Sequence, residues 1–347
     1  MQPGAADVRV VGVGGGGGNA LRRMLEGERD GATLIAVNTD AVALEGHPAD
    51  ARIVLGQKGT GGLGAGGCPA TGLSAARESS PALEGVVEGA DMVFVAAGLG
   101  GGTGTGAAPM VAHLARRAGA LVVGVVTLPF AFEGGRRRRV ALQGLEALEE
   151  QVDSILVVEN DRLLELDDAD PSVLQAFSRA DDVLCDGVRG IGDLVMQAGL
   201  INLDFADVCA VLRDGGRAVM GIGRGFGADR ALAAVDQASL SPLLDDPIDG
   251  AAGVLLSFRA DPAIGLGAIH RAAARVQAQV DDEAEILFGV TIDENLHDEV
   301  HVTLVAAGLD GAAPPAVEQA VAEPRRRNAL VMLDAPIAAV ARAPRRF

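Results

Sequence analysis

The sequence contains no tryptophan and no tyrosine, and its aromatic residues are nine phenylalanines. A chain of 347 residues that is 49% hydrophobic must therefore build its core from Ala, Val, Leu and Ile. Lysine is nearly absent as well, since Lys58 is the only one. No GxxxxGK[ST] motif surrounds that lysine or occurs elsewhere, which excludes a P-loop nucleotide-binding protein.

Positively charged residues are also fewer than negatively charged ones. The chain has 29 Lys and Arg against 47 Asp and Glu, a net charge of −18, which argues against nucleic acid or an anionic membrane as a partner of the protein body. No segment reaches the roughly 20 apolar residues of a membrane span, and no basic stretch followed by an apolar run opens the chain. We therefore expect a cytoplasmic protein without direct membrane insertion.

Cysteines are few and scattered. Cys68, Cys185 and Cys209 are odd in number and far apart in the sequence, which fits a reducing compartment. They give no metal-ligand spacing, and His297 and His301 need not share a face of the strand predicted to begin near them. No protein-bound metal site is expected.

Glycine, in contrast, is abundant, and one run of it organises the chain. Residues 100–106 read GGGTGTG, between an apolar strand predicted at Met92–Ala97 and a helix predicted to begin at Met110–Leu114. With so few side chains, backbone N–H groups can approach an anion, and the following helix adds the positive end of its dipole. This run predicts a loop that binds a di- or triphosphate.

A second glycine run, Gly14–Gly18, follows the predicted strand Val8–Val13 and precedes the predicted helix Ala20–Leu25. Two strand–glycine–helix turns predict two loops that converge on one nucleotide at the carboxyl edge of a parallel sheet. Gly12–Gly17 also matches GxGxxG, with Asp40 near the distance of a ribose-binding acid. An NAD-dependent Rossmann oxidoreductase is therefore an alternative.

Strands and helices alternate through the first half, which predicts a doubly wound parallel α/β sheet. We predict a nucleotide-binding domain over residues 1–170, a long central helix over 171–199, a smaller α/β domain over 200–308, and a disordered linker and tail over 309–347. The predicted strands are Val8–Val13, Leu34–Asn38, Met92–Ala97, Leu121–Thr127, Ser154–Val158, Ala218–Ile222, Val254–Phe258, Glu285–Ile292 and Val300–Ala306, and the helices of the smaller domain are Asp229–Ala238 and Pro262–Val280.

Six segments, in order, resemble the tubulin and FtsZ family, and its bacterial cell-division FtsZ branch in particular. They are Gly12–Asn19, Ala36–Ala41, Gly89–Phe94, Gly100–Gly106, Pro129–Gly134 and Asn202–Asp207, within a similarity that runs from Val8 to Gly308. The resemblance implies a GTPase that binds GTP or GDP, with Mg²⁺ beside the triphosphate. It also implies a head-to-tail homopolymer that scaffolds the division ring at mid-cell, and a C-terminal tail that binds division proteins and membrane tethers.

The resemblance assigns nucleotide-binding residues one by one. Glu133 matches a ribose-binding acid, Arg137 an arginine near the nucleotide, and Phe177 and Asp181 the groups that stack on and hydrogen-bond the guanine. Because residues 136–139 are all arginine, the register at Arg137 is open by one position. The remaining assignments are Gly15, Gly16, Gly17, Gly18, Asn19, Gly101, Gly102, Thr103, Gly104, Thr105 and Gly106.

The phosphate loops near Gly15 and Gly104 offer no acid for hydrolysis, and Asp204 and Asp207, with Asn202 beside them, are the catalytic candidates. A central helix of 29 residues would place them about 43 Å from the start of that helix, too far to serve their own nucleotide. A neighbouring subunit could use them instead, as the resemblance implies. The local alternative is that both acids cap the next helix.

One segment departs from the family pattern. Residues 68–70 are Cys-Pro-Ala, where the family usually has Asn-Pro-Glu near the γ-phosphate. Backbone contacts to phosphate would survive this change, but side-chain contacts would not. A diverged member that binds nucleotide and serves as a structural paralogue is a further alternative.

Overall fold

The computed structural model describes residues 6–26, 31–165, 171–196, 203–213, 215–241, 243–244, 248–281 and 283–309. Asn202 and the predicted tail beyond Leu309 lie outside these residues. Within them, no helix combines the length and the apolar character that crossing a membrane requires.

Ten strands form one sheet in the order β3-β2-β1-β4-β5-β6-β7-β10-β8-β9. All neighbouring strands run parallel except the two pairs that involve β10. The strands are β1 (Val8–Val13), β2 (Thr33–Asn38), β3 (Ala51–Val54), β4 (Met92–Gly98), β5 (Leu121–Leu128), β6 (Ser154–Glu159), β7 (Gly216–Phe226), β8 (Gly253–Ala260), β9 (Glu285–Ile292) and β10 (Glu299–Ala307).

Helices cover both faces of the sheet, as a doubly wound fold requires. They are α1 (Gly14–Glu26), α2 (Ala41–Leu44), α3 (Gln57–Thr60), α4 (Pro69–Glu78), α5 (Ser80–Val87), α6 (Thr103–Arg117), α7 (Gly135–Glu149), α8 (Val173–Met196), α9 (Phe205–Leu212), α10 (Arg230–Ser239) and α11 (Leu266–Gln277). Residues of α1, α8 and α9 share one buried cluster, those of α4 to α7 a second, and those of α10 and α11 a third. The predicted α/β class is confirmed.

The central helix α8 has 24 residues and is therefore about 36 Å long. The apolar stripe predicted for it is buried, from Val183 and Leu184 to Leu194, with Val195 partly buried. Glycines bring the helix close to its neighbours, since a Cβ atom on Gly187 would meet Leu156 and Val125, and one on Gly190 would meet Thr303. A long helix thus connects the two edges of the parallel sheet.

Both glycine runs differ from the prediction, because they are not loops throughout. Helix α1 begins at Gly14 and helix α6 begins at Thr103, so most of each predicted loop forms the first turn of the helix. Glycine is a poor helix former, but here packing decides, since Cβ atoms on Gly17 and Gly106 would collide with the carbonyl oxygens of Ala96 and Pro69.

The predicted smaller domain contributes β7 to β10, α10 and α11. Its strands continue the same sheet, because β7 pairs with β6 from Ser154–Gly216 to Leu156–Ala218. The domain boundaries at residues 170 and 200 stay a prediction. The edge strand β3 was not predicted, since its four residues are only partly buried or exposed and carry no apolar run.

Candidate functional site

A cleft of about 400 Å³ opens at the carboxyl edge of the sheet, where α1 follows β1 and α6 follows β4. This is the edge at which parallel sheets with reversing strand order bind ligands. It brings together residues that are distant in sequence. The predicted residues that line it are Gly15, Gly16, Asn19, Gly101, Gly102, Thr103, Gly104, Glu133, Arg137, Phe177 and Asp181.

The glycines at the cleft fall into two groups. A Cβ atom on Gly15 or Gly101 would have nothing within 4 Å, so these two face open space. A Cβ atom on Gly104 would instead collide with the carbonyl oxygen of Gly98. Backbone N–H groups at a helix N-terminus that border open space suit an anion such as a phosphate group. The other predicted glycines, Gly17, Gly18 and Gly106, lie outside the lining.

The two threonines of the glycine-rich segment have different partners. The Thr103 hydroxyl lies 2.7 Å from the hydroxyl of Thr39, and Thr103 lines the cleft. Thr105 is buried, and its hydroxyl accepts the N–H of Gly100 at 2.9 Å. The geometry thus offers the Thr103 hydroxyl to a ligand and uses the Thr105 hydroxyl to hold the turn.

Glu133 and Arg137 form an ion pair of 3.0 Å at one wall of the cleft. The Glu133 carboxylate also accepts the N–H of Phe130 at 2.9 Å, which fixes its orientation. Within the arginine run, Arg137 is in the lining, whereas Arg138 bonds to Glu159 at 2.7 Å. Position 137 is therefore the one that the fold directs toward the cleft.

Three phenylalanines cluster at the cleft. Phe177 meets Phe130 edge-on at a centroid distance of 5.3 Å, and Phe130 stacks on Phe132 at 5.1 Å. Phe130 is fully buried, but Phe132 is 65% exposed and Phe177 39% exposed. Exposed aromatic faces of this kind are costly in water and suit stacking on a planar base.

Asp181 lies one helical turn after Phe177 on α8. Burial raises the pKa of Asp181 to about 6, while a hydrogen bond from Asn19 and the nearby Arg23 act in the opposite direction. The carboxylate is thus ionised at neutral pH and poised to accept hydrogen bonds from donors on a ligand.

The sequence prediction missed several lining residues, of which Asn160 matters most. Asn160 is 6% exposed, and its Oδ1 atom has no hydrogen-bond partner among the described residues. A buried hydrogen-bond acceptor without a donor lowers the stability of the fold unless a ligand supplies the donor. A polar residue directly after the apolar strand β6 was the available signal. The other missed residues are Gly98, Leu99, Thr127, Pro129 and Ala180.

Asp204 and Asp207 lie at the other edge of the sheet. They precede β7, whose first residue, Gly216, pairs with Ser154, the first residue of β6. Both side chains are exposed, and neither carboxylate bonds to another described residue. Asp204 occupies the N-cap of α9 without a side-chain capping bond, so the local capping alternative lacks support there. Asn202 lies outside the described residues.

Cys68, at the departure from the family pattern, is the exposed N-cap residue of α4. Its N–H is bound to the carbonyl of Ala65 at 3.0 Å, and hydrogen bonds to Thr71 lower the pKa of the thiol. A Cβ atom on Gly102 would lie 2.8 Å from the Cys68 nitrogen. This segment therefore adjoins the glycine-rich turn through its backbone.

The NAD-dependent alternative is not favoured. Asp40, its proposed ribose-binding acid, caps helix α2 by accepting the N–H groups of Val42 and Ala43 at 2.9 and 3.3 Å. Asp40 is also absent from the lining residues of the cleft. Its carboxylate is thus committed to local structure.

Comparison with known proteins agrees with the geometry. Residues 7–168 match the model of the Tubulin/FtsZ family GTPase domain, and residues 216–310 match that of the FtsZ family C-terminal domain. A solved empty FtsZ dimer from M. jannaschii is 44% identical with a TM-score of 0.87, over 89% of this chain and 90% of its own. The chain belongs to the FtsZ family.

Two solved structures of lower sequence identity share the fold. The GTPγS-bound protofilament of CetZ2 from Haloferax volcanii gives a TM-score of 0.72 at 24% identity, over 86% of this chain and 92% of its own. The GDP-bound CetZ1 monomer from the same organism gives 0.74 at 25% identity, over 87% and 94%. The FtsZ-family GTPase fold thus accounts for most of the chain, including both edges described above.

Proposed function

We propose that the cleft binds GTP with its phosphates over the N-termini of α1 and α6. The open space at Gly15 and Gly101 supports this placement, as does the position of Thr103 in the cleft lining. Glu133 accepts hydrogen bonds from the ribose hydroxyls, and Arg137 supplies positive charge beside the phosphates. Guanine stacks on Phe177 and donates its N1–H and 2-amino hydrogens to Asp181.

The observation that carries the proposal is the separation of the acids from the cleft. Phe177 and Asp181 line the cleft near the start of α8, and Asp204 and Asp207 follow the other end of this helix, which is about 36 Å long. They cannot reach the nucleotide of their own subunit. Stacking subunits head to tail places them at the nucleotide of the next one, a heterologous contact that generates filaments.

Hydrolysis then occurs at the subunit junction. Asp207, with Asp204 and Asn202 beside it, orients a water molecule for in-line attack on the γ-phosphate of the neighbour's GTP, which yields GDP and phosphate. The described residues include no group of three or more His, Cys, Asp or Glu side chains placed to hold a metal ion. Mg²⁺ bound to the triphosphate would neutralise charge on the phosphate oxygens.

We propose that the resulting filament scaffolds the division ring at mid-cell in the cytoplasm, with the C-terminal tail binding division proteins and membrane tethers. The family membership supports self-assembly. Sedimentation tests it: the protein should pellet with GTP and stay in the supernatant with GDP. Equal pelleting in both nucleotides, or in neither over a wide range of protein concentration, would contradict the filament proposal.

A second candidate rests on the Cys68-Pro69-Ala70 segment, which has no acidic side chain at position 70. A diverged paralogue would bind GTP and assemble but turn the nucleotide over weakly. Phosphate release measured on the pelleted polymer separates the two. Assembly without GTP turnover would favour the structural paralogue over the GTPase.

A further inference from the structure

Thr39 lies directly after β2 and is fully buried. Its hydroxyl lies 2.7 Å from that of Thr103 and has no other hydrogen-bond partner among the described residues. Its carbonyl oxygen accepts the N–H of Gly64 at 3.1 Å. Thr39 therefore lies beneath the cleft, between the glycine-rich turn and the loop that contains Gly64.

The only interaction that the hydroxyl of Thr39 makes within the described residues is the hydrogen bond with the hydroxyl of Thr103. A buried polar group needs a partner, and Thr39 is shielded from water. Valine has nearly the same shape and would be buried there without that requirement. The side chain that benefits from the threonine is Thr103, which borders the open cleft.

We propose that Thr39 is a positioning residue for nucleotide binding, acting through Thr103. Each hydroxyl can donate one hydrogen bond and accept others. When Thr39 donates to Thr103, the Thr103 proton is free to point into the cleft and bind a phosphate oxygen. The chain of bonds runs from Thr39 to Thr103 to phosphate, and each bond polarises the next. This inference rests on the proposed GTP site.

The test is a double-mutant cycle with Thr39→Val and Thr103→Val. Affinities for GTP and GDP are measured by calorimetry on the full-length monomer. Thr39→Val should weaken binding about threefold to tenfold, the range expected for one neutral hydrogen bond. Thr39→Ser keeps the hydroxyl and should bind close to wild type. In the Thr103→Val background, Thr39→Val should have no further effect on affinity.

Thr60→Val is the matched control. The Thr60 hydroxyl lies in the adjoining loop, where it contacts the carbonyl oxygens of Gly56, Leu55 and Thr39 at 3.0, 3.4 and 3.5 Å. It contacts the backbone of Thr39 but neither of the hydroxyls of the Thr39–Thr103 pair, so Thr60→Val tests for a general disturbance of this loop. Its effect on affinity should be the same with and without the Thr103 hydroxyl. Thermal unfolding of each variant checks that the fold is intact, and Thr39→Ala replaces Thr39→Val in the cycle if the latter does not fold.

Wild-type affinity in Thr39→Val would overturn the inference while leaving the proposed GTP site intact. An equal loss in the wild-type and Thr103→Val backgrounds would also overturn it, because it would show that Thr39 acts without Thr103. A wild-type protein that binds neither GTP nor GDP would overturn the proposed function and this inference together.

Discussion

The Glu133 carboxylate lies 3.0 Å from the Arg137 guanidinium, with 8% and 51% of the two side chains exposed. Only the Arg137 side of this ion pair is open to water, and the Glu133 carboxylate keeps its hydrogen bond from the N–H of Phe130 when Arg137 is replaced. Arg137→Gln should therefore change the melting temperature little, yet weaken GTP binding about tenfold, because a charged donor to the nucleotide is lost. Arg136→Gln, next in sequence but absent from the cleft lining, is the control and should bind normally. Equal affinity in both variants would remove Arg137 from the site.

Glycines that face protein and glycines that face the cleft should respond differently to the same change. Gly106→Ala drives a Cβ atom into the carbonyl oxygen of Pro69, so it should destabilise the fold by about 1–3 kcal/mol or more. Gly15→Ala meets no atom within 4 Å, so the fold should survive. Its methyl group would occupy the proposed phosphate space and weaken GTP binding. Thermal unfolding and calorimetry on both variants provide the comparison, and normal GTP affinity in Gly15→Ala would place the phosphates elsewhere.

GTP affinity should depend on pH through Asp181. In the proposed site the ionised carboxylate accepts the guanine donors, and burial raises the pKa of Asp181 to about 6. Affinity should therefore be full at neutral pH and fall as the pH drops through 6, approaching about tenfold per pH unit well below it. In the nucleotide-free protein Asp181 affects folding stability, and the pH dependence of that stability has the opposite sign to the pH dependence of GTP affinity. Asp181 holds its proton more tightly when folded, so its contribution to stability decreases as the pH rises from 3.8 to about 6.

Asp181→Asn should lose most of this pH dependence, which separates Asp181 from other titrating groups. Base choice offers an independent check. Inosine lacks the 2-amino group and adenine lacks both donors, so the order of affinity should be GTP, then ITP, then ATP. Comparable GTP and ITP affinities, unchanged in Asp181→Ala, would mean that Asp181 does not contact the base.

Asp207→Asn should leave GTP binding by the monomer unchanged and abolish turnover by the polymer. The side chain is exposed at the amino edge of the sheet and does not line its own cleft. Mixing this variant with one defective at Thr103 should restore turnover at a minority of junctions, where an intact cleft meets an intact Asp207. Weakened GTP binding by the isolated Asp207→Asn monomer would contradict a role in trans.

Much of the fold follows from the apolar runs of the sequence. Buried strands such as β1 and β4 are mostly apolar segments with glycine at or directly after their ends, which identifies both their burial and the edge where the chain turns. The start points of α1 and α6 could not be predicted in the same way. Glycine disfavours helix locally, and only the close approach of Gly17 to Ala96 and of Gly106 to Pro69 explains why these turns are helical.

The site divides along similar lines. Glycine runs and family motifs identify the glycine-rich side of the cleft, because those signals are contiguous in sequence. Asn160 carries no such signal, since it is one polar residue after strand β6. Thr39 lies within the family segment Ala36–Ala41, but nothing in that segment singles it out. Both residues are significant because of where the fold places them. The Oδ1 atom of Asn160 is left without a donor among the described residues, and the hydroxyl of Thr39 has that of Thr103 as its single partner there.

The three phenylalanines at the cleft have a spectroscopic consequence. Phenylalanine absorbs and emits weakly in the near ultraviolet, and the chain has no tryptophan or tyrosine to add to it. A bound guanine base should therefore dominate the near-ultraviolet absorbance of the complex, so that occupancy can be read without a label. Phe132, exposed and stacked on Phe130, is a position where Phe132→Trp would introduce a sole fluorophore beside Phe177, which lines the cleft. Because the chain has no tryptophan or tyrosine of its own, a single tryptophan introduced at any other surface position would also be the only strong fluorophore of the molecule.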